Sequence, residues 1–122
     1  NIMKYLFQTL TIIVALGCAR ALSAAEEDPV KLAPDMYRMI LQNRQVRVVE
    51  AAIKPGATVP MHEHPDSVIY VIKGGRVRFT DEKGRSKDVE LKNGEVQFRD
   101  HEEHAVQNIG KNEIRVLHVE LH

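Results

Sequence analysis

The sequence predicts an all-β domain whose short strands form a barrel, a jelly roll or a sandwich. Val- and Ile-rich runs alternate with Gly, Pro, Asn and Asp turn signals from residue 46 onward. No long helical pattern follows residue 25. Many short strands at this spacing are typical of antiparallel all-β folds. The predicted strands are 46–53, 59–64, 68–72, 76–80, 87–91, 95–99, 104–109 and 113–121.

Alternation within the strands gives each one an inner and an outer face. Val77 and Phe79 lie between polar neighbours, and Val96 and Phe98 repeat the pattern over 95–99. The last strand offers two sets, of which the all-apolar one is the expected core. The apolar set is Leu117, Val119 and Leu121, and the other set is Val116, His118 and Glu120. Choosing the apolar set as the core places His118 outside the barrel.

Length and charge limit the classes of function. The 122 residues suit one domain, and 17 basic side chains balance 17 acidic ones. Removing residues 1–25 takes away Lys4 and Arg20 and no acid, which leaves 15 basic against 17 acidic side chains. No basic patch with interleaved aromatic residues is visible, so nucleic acid is not an expected partner.

Residues 1–25 are predicted to be a secretory signal peptide. Lys4 precedes a short apolar run, and small residues follow before an acidic stretch, with cleavage after Ser23 or Ala25. An uncleaved membrane anchor is the alternative. Cys18, the only cysteine, lies in this segment, and Leu16 fits a lipoprotein signal poorly. The mature protein is expected to be periplasmic or secreted, with no membrane contact.

The rest of the chain divides into an arm and a barrel. Residues 26–45 are predicted as an N-terminal arm, polar with two prolines at first, in which 36–41 forms either a helical turn or the first strand. Residues 46–122 are predicted as the β-barrel domain.

A pair of histidines is the first candidate site. His62 and His64 are two apart on a predicted strand, so both point to the same face and Glu63 to the other. Neutral imidazoles on one face are well arranged to share a metal ion. The pair alone is a weak signal, because two half-exposed polar residues near a turn give the same pattern.

The surrounding residues resemble the two motifs of the RmlC-like cupins. Gly56, His62, His64 and Gly75 follow the spacing of the first motif, with Val68 where that motif has a metal-binding Glu. The second motif is represented by its opening and closing residues, Gly94, His104 and Asn108, but lacks its Pro and Gly and is one residue short. The resemblance implies a double-stranded β-helix, or jelly-roll barrel, and a metal site at His62, His64 and His104.

Without the motif Glu, the resemblance implies a three-histidine site with open coordination positions. Imidazole suits one divalent Fe, Zn, Cu or Ni ion. A cupin that has lost its metal is the alternative, with the histidines kept as pocket residues. Acids that could replace the missing ligand are Asp66, Glu102 and Glu103.

Three further side chains have weaker claims. Tyr70 could share the inward face of its strand as a catalytic proton donor, although such a tyrosine is more often core packing. His101 is expected to be exposed, and His122 is terminal.

The resemblance leaves two functions open and suggests a homodimer. One is an oxygenase-type enzyme acting on a small polar organic molecule, and the other is a non-catalytic periplasmic module that binds a small molecule or a metal. Cupins commonly pair through their sheets, often by exchanging an N-terminal strand, for which 30–43 has the length.

Overall fold

The computed structural model describes residues 28–122, so the predicted signal peptide lies outside the described residues. One short helix precedes a run of strands, which confirms the all-β prediction. No helix in the described part of the chain is long and apolar enough to cross a membrane. The elements are α1 (Pro29–Leu32), β1 (Tyr37–Gln42), β2 (Val46–Ile53), β3 (Thr58–His64), β4 (Ser67–Lys73), β5 (Gly75–Asp81), β6 (Ser86–Leu91), β7 (Val96–Arg99), β8 (Glu102–Asn108) and β9 (Ile114–Leu121).

The strands form two antiparallel sheets that enclose the core, as in a jelly-roll barrel. The five-stranded sheet has the order β1-β2-β9-β4-β7, and the four-stranded sheet has the order β3-β8-β5-β6. Residues 36–41 therefore contribute to a strand rather than a helical turn, and β1 pairs with β2 of the same chain.

Two residues of the motif pattern hold turns in place. The Asn108 side chain is fully buried; its Nδ2 donates to the carbonyls of Ile53 and Asn112 at 2.9 and 2.8 Å, and its Oδ1 accepts from Gly110 N at 3.0 Å. Gly56 follows β2 with φ of +78°, a conformation that favours glycine. Asn108 thus joins the β8–β9 turn to the end of β2.

The interior changes character along the barrel. One end is apolar and filled by branched aliphatic side chains from both sheets, as the absence of Trp and the scarcity of aromatics require. The other end contains buried histidines and Glu120. The aliphatic set includes Ile53, Val71, Val77, Leu91, Val106, Ile114 and Val116.

The two faces of β9 are the reverse of the sequence prediction. His118 and Glu120 are buried at 7% and 4% exposure, whereas Leu121 on the other face is 38% exposed. The apolar set of β9 joins other apolar side chains on the outer face of the five-stranded sheet, where Val96 and Phe98 of β7 are 63% and 59% exposed. Apolar content was therefore a poor guide to the inner face, because the inner face carries a polar cluster.

Candidate metal centre

Three histidines converge at the polar end of the barrel. His62 and His64 share the inner face of β3, and His104 lies opposite His62 in the register of β3 with β8. Their ring centroids are 4.7 to 5.4 Å apart, and one ligand nitrogen from each lies within 4.8 Å of the others. The structure thus brings together the three residues that the motifs suggested as ligands.

Hydrogen bonds orient the rings so that two ring nitrogens are left for a ligand. His62 Nδ1 is 2.8 Å from the Pro60 carbonyl, which only accepts, so this nitrogen carries the proton. His64 Nδ1 is 3.3 Å from Glu120 Oε2, and a carboxylate likewise accepts. The Nε2 atoms of His62 and His64 are buried without a hydrogen-bond partner.

Burial keeps two of the three rings, those of His62 and His104, neutral. Burial, reinforced by the nearby His64, lowers the pKa of His62 to about 3. Burial also lowers the pKa of His104, against the opposing effect of Glu102. Neutral imidazole is the form that binds a metal, because the coordinating nitrogen needs its lone pair.

This donor set fits a divalent transition metal ion. Buried acceptors without a partner are expensive, at about 1–3 kcal/mol each, and convergent imidazole lone pairs suit Zn, Cu, Fe or Ni. The carboxylate or carbonyl on each opposite nitrogen is the outer-shell support that metal-binding histidines usually have. His62, His64 and His104 would hold the ion.

No acid takes the place of the missing fourth ligand. Val68 lies half-buried on the outer face of β4, and its neighbour Ile69 faces inward opposite His118. Glu102 lies 3.6 Å from His104 Nδ1 but is not among the residues whose ligand atoms converge, so it supports His104 instead. Asp66, between β3 and β4, instead accepts from His101 N in the β7–β8 turn at 2.8 Å. Glu103 and Glu63 lie opposite each other on the outer face, as parity predicted for Glu63.

The charge of Glu102 is held in place by its neighbours. Burial opposes its ionisation, but the contacts with His104 and Arg99 lower its pKa to about 2. Arg99 Nη1 donates to Glu102 at 3.1 Å, and the Arg99 guanidinium lies 4.9 Å from the centre of the Phe79 ring. Arg99, the last residue of β7, therefore belongs to the surroundings of the candidate metal centre.

Three buried residues at the site were not predicted. His118 stacks on His64 with ring centroids 4.5 Å apart and an interplanar angle of 5°. Tyr37, 3% exposed, packs near His62, His64 and His118, so the predicted arm contributes a wall. Glu120 is the third. The set Val116, His118 and Glu120 was visible in the sequence, and its histidine and carboxylate on one face were a signal for two of these residues, whereas no signal marked Tyr37.

The weaker candidates lie away from the centre. Tyr70 points outward from β4 with 44% exposure, because Ile69 and Val71 occupy the inward positions, so the inward placement was wrong. His101 is exposed as predicted and contacts Glu63. His122 is exposed at the end of the chain.

Two spaces meet beside His104. A mostly apolar cavity of about 30 Å³ is lined by His104, His118, Tyr37 and the aliphatic core. An open cleft of about 500 Å³ lies on the other side, lined by residues of β5 to β8. His104, Phe79 and Arg99 line both, so they form the boundary between the cleft and the interior.

The family is decided by a match to the cupin domain over residues 49–120, which is more than half of the chain. The chain belongs to the cupin domain family. This cupin is similar to a cupin domain from Bordetella pertussis Tohama I, with 25% identity and a TM-score of 0.66, over 71% of this chain and 92% of that one.

Two more solved structures share the fold. One is an uncharacterized conserved protein with a double-stranded β-helix domain from Klebsiella pneumoniae, with 20% identity, TM-score 0.57, and coverage of 84% of this cupin and 90% of that chain. The other is a predicted oxalate decarboxylase from Thermotoga maritima, with 24% identity, TM-score 0.51, and coverage of 70% and 79%. No curated protein matches this sequence.

Proposed function

We propose that this cupin binds one divalent transition metal ion through His62, His64 and His104 and uses it to bind a small polar organic molecule. An oxygenase-type reaction on that molecule is the activity we propose. The observation that carries the proposal is the pair of buried Nε2 atoms on His62 and His64, each left free because Nδ1 faces an acceptor.

Three imidazoles form an uncharged ligand set. A bound ion would keep its full +2 charge and at least one open position, which attracts anionic or bidentate oxygen ligands. Two of the chain's own residues complete the proposed binding site. Phe79 and Arg99 line the cleft beside His104, and Arg99 offers a guanidinium to a negatively charged group. The cavity beside His104 is mostly apolar, so it offers a water molecule few hydrogen-bond partners on that side of the centre.

Elemental analysis tests the metal site. We expect about one divalent ion per chain in the purified mature protein and a negligible amount in the His62→Ala, His104→Ala double variant, because two of three ligands are lost. His101→Ala is the matched control, since it removes an exposed histidine outside the cluster. Equal and negligible metal in all three proteins would contradict the proposal.

Turnover separates the enzyme from the alternative, a non-catalytic periplasmic binding module. The metal-loaded protein is mixed with panels of diketones, flavonols and thiols while oxygen consumption is recorded. Consumption that is lost in the double variant supports the oxygenase. The specific observation that favours the binder is that, within residues 28–122, the loops between the strands are short and none is long enough to form a lid. Metal retention and ligand binding with no turnover would identify the binder.

We further propose that the protein is exported and dimeric. Export rests on the leader pattern in residues 1–25, and its test is N-terminal sequencing of protein recovered from the periplasm or medium. The proposed partner is a second copy, packed on the outer face of the five-stranded sheet. A soluble chain rarely exposes a large apolar face, and here Tyr70, Ile72, Val96 and Phe98 are each at least 41% exposed.

A further inference from the structure

A chain of polar contacts leads from the metal centre to the N-terminal segment. Glu120 Oε2 is 3.3 Å from His64 Nδ1, and Glu120 Oε1 is 3.2 Å from Arg47 Nε. Arg47 then donates two hydrogen bonds to Asp28, at 2.7 and 2.6 Å. Glu120 and Arg47 thus connect the candidate ligand His64 to Asp28, the first of the described residues.

The fold fixes each member of this chain. Arg47 on β2 and Glu120 on β9 are directly opposite in the strand register, so their side chains lie next to each other. Asp28 precedes α1 and accepts a hydrogen bond from Val30 N at 3.0 Å, which holds its carboxylate in place. The side chains of Glu120, Arg47 and Asp28 are only 5%, 18% and 14% exposed.

Because these side chains are largely buried, each one depends on its neighbour for a compensating polar contact. A buried carboxylate is stable only when it is paired and hydrogen-bonded, and Arg47 supplies the pairing for Glu120. The charged Glu120 can then accept the Nδ1 proton of His64, which leaves the Nε2 lone pair to face His62 and His104. His118, stacked on the flat side of His64, restricts the ring further.

We propose that Glu120 is a positioning residue that sets the tautomer of His64, and that Asp28 and Arg47 hold Glu120 in place, so that the N-terminal segment is part of the metal site. The role in metal binding rests on the function proposed above. The tautomer, in contrast, is a property of the metal-free chain and can be measured without any ion.

The competing explanation is an ordinary ion-pair network that docks the N-terminal segment. The same sheet offers a comparison: Glu50 on β2 pairs with Arg115 and Arg38, with its side chain 14% exposed and with no histidine in the group. A purely structural role predicts that Glu120→Gln and Glu50→Gln have similar consequences. A positioning role predicts that only Glu120→Gln changes His64.

The first experiment records the ring-nitrogen chemical shifts of metal-free protein by long-range ¹H–¹⁵N NMR at pH 8. We expect His64 to carry its proton on Nδ1 in the wild type. In Glu120→Gln the amide oxygen accepts from Arg47, so the NH₂ group donates to His64 Nδ1 and moves the proton to Nε2. Glu50→Gln leaves the wild-type tautomer. An unchanged His64 tautomer in Glu120→Gln overturns the proposal.

The second experiment measures Zn²⁺ affinity by competition with a chromophoric chelator. We expect about a 10- to 100-fold loss for Glu120→Gln, the usual effect of removing an outer-shell partner. Asp28→Asn and Arg47→Met should give smaller losses, Arg47→Lys should partly restore the affinity lost in Arg47→Met, and Glu50→Gln should match the wild type. Affinities of Glu120→Gln and Glu50→Gln that agree within about twofold contradict the role in metal binding.

The two experiments separate the failure of this inference from that of the proposed function. If wild-type protein does not bind Zn²⁺ or any other divalent ion, the proposed function fails, while the NMR result still decides whether Glu120 sets the tautomer. If the wild type binds an ion and the Glu120→Gln tautomer is unchanged, the function stands and the positioning role is wrong.

Discussion

The two sheets of the barrel distribute apolar and polar residues differently. In the four-stranded sheet, β5 and β6 keep apolar side chains inside and polar ones outside, since Val77 is 1% exposed on the inside and the Arg78–Asp88 ion pair lies outside, whereas β3 and β8 of this sheet place the three candidate ligands inside. The five-stranded sheet reverses the pattern of β5 and β6 at the site end, where His118 and Glu120 are inside and Phe98 is outside. The difference shows that apolar content alone does not identify the inner face of a strand, because polar side chains with hydrogen-bond or ion-pair partners can also be buried there.

The reversal is stable because the inner polar groups are paired. Glu120 contacts both Arg47 and His64, and Glu102 contacts Arg99 and lies near His104. Buried polar groups are tolerated when their partners are also present. The outer apolar face has no such explanation within one chain, which is why we propose a second copy on it.

The largest effect we expect comes from deleting a core side chain at the centre of the five-stranded sheet. Ile69, 1% exposed, is fully packed on the inner face, and Ile69→Ala should lower the free energy of unfolding by about 2–5 kcal/mol. Urea denaturation of metal-free protein measures the change. Leu32→Ala, in α1 at 41% exposure and outside the apolar face proposed for the dimer, is the control. Equal losses would mean that Ile69 is not packed in the core.

A charge on the outer apolar face should separate the proposed dimer. Phe98→Glu places a carboxylate where the partner copy would bury apolar surface, and removing a central aromatic anchor weakens association by about 2 kcal/mol or more. Light scattering at micromolar concentration should give the mass of a dimer for the wild type and of a monomer for the variant. Arg76→Glu, on the exposed face of the other sheet, should remain dimeric. A monomeric wild type contradicts the proposal.

The inner histidines predict a loss of stability in acid for the metal-free protein. His62 has an ordinary pKa of 6.5 and burial lowers it to about 3 in the folded chain, while burial also lowers the pKa of His104 and of His118. Between pH 6.5 and about 3 only the unfolded chain takes up a proton at His62, so stability decreases by about 1.4 kcal/mol per pH unit from this residue, and the lowered pKa values of His104 and His118 add to the decrease in the same direction. The loss should continue as the pH falls toward 3.

The pH range from 6.5 to 4.5 isolates the histidines, because Glu102 ordinarily ionises near 4.5 and begins to contribute only below that pH. Urea denaturation at several pH values, with a chelator present, measures the slope. His62→Gln removes one titrating group and should make the slope shallower. Stability that does not change between pH 6.5 and 4.5 would show that the histidines are not buried as neutral rings.

The sequence was sufficient for the fold and for the three central histidines. The fold class follows from period-two alternation and turn residues, whereas the trio His62, His64 and His104 follows from the resemblance of its spacing to the cupin motifs. The residues around the three histidines, in contrast, are brought there by the arrangement of the strands, which local spacing does not encode. Glu120 lies 56 residues from His64 in sequence, and the two side chains meet only because β9 of the five-stranded sheet faces β3 of the four-stranded sheet across the interior. Tyr70 was placed on the inward face because both faces of β4 are apolar, so alternation alone does not show which face is the inner one.

The smallest effect should come from the outer face of the four-stranded sheet. Arg78 Nε and Nη2 donate to Asp88 at 2.8 and 3.0 Å, a bidentate pair that joins β5 to β6. Good geometry does not make such a pair stabilising, since water and salt screen it and ordering two long side chains opposes it. Arg78→Ala should leave the urea midpoint unchanged within error, at low and at high salt. A clear, salt-dependent decrease in the urea midpoint would show that the Arg78–Asp88 pair stabilises the fold. The two sheets would then differ in the composition of their outer faces but not in how much those faces contribute to stability.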